Sequence, residues 1–208
     1  STMWAKRNFP SLGDFFQAAR RIGFAHIELN HQVDSAMLAG IELDHYHFSS
    51  LHEPCPADIP AETLKARDWL ISAHDEEKRQ QGVGAIRRSI DLAHTLGIGV
   101  IVVHSGNVQN DLSLENHLRT LFAAGLAGSE SYQALKTEME RVRAAQAGSR
   151  LAAVKKSLIE LLQYAAPFGI HDDALAFAVV VAQGDQHLRL AQVVSDHHRH
   201  AQIARRAL

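Results

Sequence analysis

A chain of 208 residues, 46% of them hydrophobic, holds enough apolar material for one sizeable core, arranged in one or two domains. Its formal net charge of -2 supplies no general attraction to nucleic acid or anionic membranes, and its apolar runs are too short to span a bilayer. The N-terminus shows no basic stretch followed by an apolar one, and the single cysteine, Cys55, has no internal disulfide partner; both lead to the expectation of a cytoplasmic protein.

In chain order, residues 2–5 are a short apolar stretch, read as the end of a first strand. Ser11 with Asp14 three residues on is a variant of the capping box, and Leu12, Phe15, Ala19 and Ile22 recur at helical spacing before Gly23 stops the helix. Residues 25–29 (AHIEL) read as a strand, 35–39 as a short helical piece ended by Gly40, and 47–51 as a third strand halted at Glu53-Pro54. Asp75 is a plausible N-cap for a long helix whose buried stripe is Val83, Ile86, Ile90 and Ala93, closed by Gly97. Residues 98–103 (IGVIVV) are the strongest strand signal, apolar on both faces as a helix-covered parallel strand is. Residues 114–150 read as helical with a break near 125–131, and Val154, Leu158, Leu161 and Ala165 mark a further amphipathic helix closed before Pro167 and Gly169.

This alternation of strand and helix predicts parallel βαβ units in an α/β fold. A barrel and an open doubly wound sheet share the pattern. No glycine-rich phosphate loop follows the first strand, which lowers the expectation of a nucleotide-binding open sheet. Residues 171–208 differ in kind: all six Lys and all eleven Glu precede them, and five of the fourteen His fall within them. Within this tail, 174–182 reads as a strand or a buried helix, and 188–208 as a helix with a basic, His-rich face. The shift is read either as a natural terminal segment or as a reading-frame change.

Polar residues at the C-terminal ends of the strands are the first candidates for chemistry, because that end carries the active site in an α/β barrel. Three positions qualify: Glu28 in AHIELNH, His52 after FSSL, and His104 after VIVV. A strand-end imidazole binds a divalent metal or moves a proton near neutral pH, and Glu28 is placed to orient a ligand, bind a substrate hydroxyl or act as a base. His45 and His47 read as ordinary strand residues, and His197, His198 and His200 as a solvated His-rich end. Cys55, between two prolines and without an activating neighbour, is not read as a nucleophile.

The segments GFAHIELNHQV, FSSLHEPCP, HDEEKRQQGVGAIRRSIDLAHTLGIGVIVVHSGN and LIELLQYAAPFGI resemble the xylose-isomerase-like TIM-barrel superfamily, which includes sugar-phosphate isomerases and epimerases and the endonuclease IV type of AP endonuclease. The likeness covers residues 1–170, about four βα units of a (β/α)8 barrel, and leaves 171–208 as an atypical segment. It implies a divalent-metal site (Zn, Mn, Co or Mg) with His52 and His104 as ligands, and Glu28 as the acidic residue after the second strand. After AAPFGI the family pattern expects a short strand ending in a metal-binding Glu; here HDDALAFAVVVAQGD follows, with no later Glu. The first functional expectation is a sugar or sugar-phosphate isomerase or epimerase. An endonuclease IV-like phosphodiesterase is the second, although the charge speaks against nucleic acid, and a non-catalytic relative or interaction module is the third. A half barrel exposes strand edges and its inner face, so a homo-oligomer is expected.

Overall fold

The structure, a computed structural model, describes residues 1–106 and 112–168 together with two later strands at 176–180 and 190–193. It is a mixed α/β arrangement in which helices cover one face of a small parallel sheet. The strands are β1 (Ile27–Leu29), β2 (Phe48–His52), β3 (Val100–His104), β4 (Ala176–Val180) and β5 (Leu190–Val193), and they lie side by side in sequence order. Neighbours β1 to β4 pair in parallel, and β5 runs antiparallel to β4.

The chain opens differently from the sequence expectation of a strand at 2–5. A 3-10 turn over Thr2–Trp4 leads into helix α1 (Ala5–Asn8). Ser1 starts the turn, its hydroxyl accepting from Met3 N–H and its carbonyl from Trp4 N–H. The Trp4 ring meets Phe9 and Phe15 edge-on, which ties the turn to the next helix rather than to the sheet. Helix α2 (Leu12–Ile22) begins as the capping pattern predicts: Ser11 Oγ accepts from Asp14 N–H at 3.1 Å and donates to Asp14 Oδ2 at 2.7 Å. Gly23 closes it at φ 102°, a left-handed conformation that a side chain would strain.

Helix α3 (Ser35–Leu38) and helix α4 (Ala61–Ala66) are short connectors. Helix α5 (Glu76–Thr95) starts at Asp75, whose Oδ1 accepts from Lys78 N–H, and buries Val83, Ile86, Ile90 and Ala93 in one stripe. Helix α6 (Leu112–Ala123) follows β3, and helix α7 (Glu130–Ala165) returns toward the sheet. Here the expected separate helix at 154–165 is corrected: α7 is one continuous helix of 36 residues. Its single Gly148 sits in an Ala-rich run, where one glycine costs only about 1 kcal/mol and does not break the helix. All of its buried residues (Arg150, Val154, Ser157, Leu161 and Ala165) lie in its second half. The expected helix over 188–208 is also corrected at its start, where Leu190–Val193 adds to the free edge of β4 and so satisfies backbone groups that the edge leaves open. The remainder of that prediction, with His197, His198 and His200, falls outside the described residues.

One core joins these parts. Phe16 of α2, Leu29, Leu51, Ile101 and Val103 of the sheet, Val83 and Ile90 of α5 and Leu161 of α7 are fully buried in a single cluster. Each such side chain contributes roughly 1.5–3 kcal/mol by leaving water. Beside it, the buried Arg79 staples α5 to α7: its guanidinium donates to Glu76, Ser157 Oγ and Glu160, while Ser157 Oγ donates to the carbonyl of Ile71. No helix among the described residues is long and apolar enough to cross a membrane.

Candidate functional site

Alternation along the strands sorts their side chains. Leu51 pairs with Ile101 and His52 with Val102, so Ile101 and Val103 point to the helices with Leu51, whereas Val102 and His104 share the opposite face with His52. On β1, Glu28 pairs with Ser50, which lies two residues before His52 on that same face. All three residues singled out in the sequence therefore stand on one face of the sheet, near the C-terminal ends of three adjacent parallel strands.

There the imidazoles of His52 and His104 meet. Their Nε2 atoms lie 2.5 Å apart, with the rings nearly stacked at 25°. A hydrogen bond there requires one Nε2–H donor and one Nε2 acceptor, so it forms only when the two rings differ in tautomer. Burial lowers the pKa of His52, against the pull of Glu28. Burial, with His52, Lys65 and His31 nearby, brings His104 down to about 4, even though His104 is the more exposed residue of the two. Both shifts favour the neutral imidazole at pH 7. Glu28 is half-buried, and its Oε2 accepts from Ser50 Oγ at 3.2 Å.

Two residues that the sequence did not single out as site candidates complete the site. His31, just past β1, sets its ring edge-on to His52 with centroids 5.7 Å apart. Glu53 follows His52 and is buried, its Oε1 accepting from the backbone N–H of His104 at 2.8 Å. Burial pushes its carboxyl up to about 7, opposed by that hydrogen bond and by Lys65. The segments LNH at the end of β1 and HEP at the end of β2 hold the signal for both residues, but neither segment reveals the fold contact. The loop leaving β3 is also tightly placed: Gly106 takes φ 106° and abuts Ser72, where a Cβ would overlap the serine hydroxyl.

Other candidates lie elsewhere. His45 pairs with Glu42 at 3.1 Å, and His47 neighbours His26, both at the N-terminal end of the strands. Cys55 is fully buried, and burial, helped by Asp58, pushes its thiol up to about 12, so it stays protonated at neutral pH. Asp75 acts as the helix cap already described.

Neutral imidazole nitrogens suit Zn and other borderline divalent ions, so His52 and His104 are the side chains here that could hold one, after exchanging their mutual hydrogen bond for the metal. Among the described residues, no group of three or more His, Cys, Asp or Glu side chains is gathered closely enough to hold a metal ion. No protein-family model, no curated protein and no solved structure matches the chain.

Proposed function

We propose that this chain is a relative of the xylose-isomerase-like group of the isomerase or epimerase type, acting on a small sugar or sugar phosphate with the help of a divalent metal. The observation that carries this reading is the convergence of the His52 and His104 imidazoles at the C-terminal ends of adjacent parallel strands, with Glu28 on the same face. In this reading the sheet is an arc of a (β/α)8 barrel, and the histidine-bearing face is the barrel interior. The exposed part of that face is the surface a second copy would cover in a homo-oligomer.

A divalent cation, when bound, supplies Lewis-acid polarisation of a substrate carbonyl and its neighbouring hydroxyl. His52 and His104 would hold it through their Nε2 atoms in place of their mutual hydrogen bond, each ring then carrying its proton on Nδ1. Glu28 takes a proton from the carbon beside the carbonyl at a carboxylate oxygen. Returning it to the former carbonyl carbon, while the neighbouring hydroxyl proton passes to the former carbonyl oxygen, gives an isomerase; an epimerase would need a second acid to protonate the opposite side of the same carbon. Ser50 steadies Glu28 through its hydroxyl.

The test is Zn2+ or Mn2+ titration of the purified chain, followed by sugar-dependent uptake of solvent deuterium. Stoichiometric binding lost in both His52→Ala and His104→Ala, with deuterium uptake lost in Glu28→Gln, is expected. A wild-type chain that takes up no divalent metal sinks the reading, and cleavage of an abasic DNA duplex would replace it with the phosphodiesterase one.

A further inference from the structure

We infer that Glu53 is a positioning residue that holds the two imidazoles in register. The β2–β3 ladder explains how. Its last main-chain rung here is the bond from Glu53 N–H to the carbonyl of Val102 at 3.0 Å. In a parallel ladder the next amide, that of His104, is taken by the main-chain carbonyl of residue 53. Instead β2 ends at His52, and the Glu53 side chain reaches across so that Oε1 accepts from His104 N–H at 2.8 Å. A side-chain carboxyl oxygen thus replaces a peptide carbonyl as the final rung.

The placement ties both histidines to one residue. His52 precedes Glu53 in the chain, and the His104 amide hangs on its side chain. Glu53 is 8% exposed, so the contact is shielded from water and has little competition. Without this acceptor the end of β3 keeps its pairing with β4 but loses its link to β2, just where the His104 ring must face His52. The hydrogen bond stands on the geometry alone; its service to a metal rests on the function proposed above.

Direct evidence comes from the unmodified, metal-free protein. Scalar coupling across the hydrogen bond, from the His104 amide nitrogen to the Glu53 side-chain carboxyl carbon, is expected by NMR; its absence with both resonances assigned overturns the inference. Zn2+ titration supplies the functional arm. Glu53→Met keeps the volume but loses the acceptor, and Zn2+ affinity should fall about 10–100-fold. Glu53→Gln keeps an acceptor oxygen and should restore most of that affinity. Folded Glu53→Met binding as tightly as wild type, or folded Glu53→Gln losing as much as Glu53→Met, overturns the positioning role. Wild-type protein that shows the coupling but binds no Zn2+ overturns its service to a metal and the proposed function, and leaves the register device standing.

Discussion

The two faces of the sheet are made from alternate residues of the same three strands, yet they differ in almost every property. Toward the helices stand Ile27, Leu29, Leu51, Ile101 and Val103, all at or below 5% exposure. Toward the other side stand Glu28, Ser50, His52, Val102 and His104, half-buried or exposed. The difference shows how a period of two divides labour: one set of positions supplies cohesion, and the set between them is released for chemistry. The division is set by register: the β1–β2 pairing slips by one residue between Ile27 and Glu28, so Phe48 packs with the core beside Ile27 while Ser50 and His52 stand with Glu28.

The largest expected break in that comparison is Ile101→Ala. It removes a fully buried side chain from the centre of the helix-covered face and should cost about 2–5 kcal/mol in urea unfolding. A cost below about 1 kcal/mol would mean that this face is not the cohesive one.

A smaller effect should come from the ionic staple between the covering helices. Hydrogen bonds from Arg79 and then Lys156 hold the Glu76 carboxyl well below its usual range. Burial works against Glu160, but its bonds from Arg79 and Gln80 prevail and also hold it low. A depressed folded pKa means that the native state binds the proton less readily than the unfolded one. This stabilisation is therefore fully present above the ordinary carboxyl value of 4.5 and is lost as pH falls through the depressed folded values. The urea midpoint should fall on acidification below that point, and fall less in Glu76→Gln. An unchanged acid response in that variant would remove the staple from the account of stability.

The smallest change is expected on the opposite face. His52→Ala and His104→Ala should each alter unfolding free energy by no more than about 1 kcal/mol while abolishing metal uptake. A loss matching that of Ile101→Ala would recast the pair as packing.

Much of this was legible in the chain. Ser11 and Asp75 announced their helices, IGVIVV its strand, and Glu28, His52 and His104 their shared position at strand ends, because capping and alternation act over a few residues. The opening turn was not legible, since short apolar stretches suit either period and the Trp4–Phe9–Phe15 contacts decided it. Continuity of α7 through Gly148 depended on the packing of its later turns against α5, which local sequence does not carry. Glu53 was missed for a similar reason. Its partner lies 51 residues away, and its role follows from where β2 ends.

Helix α7 carries a last consequence. Its final turns are locked into the core through Val154, Ser157, Leu161 and Ala165, whereas its first 20 residues, 130–149, contain no buried side chain. At 1.5 Å per residue those 20 residues amount to about 30 Å of rod. The two ends of this one helix therefore belong to different exchange regimes. Amides in the early turns open to solvent by local fraying alongside α6, and those in the late turns open only when the whole core does. A single unbroken element thus carries the boundary between the cooperative unit that holds the sheet and an outlying arm.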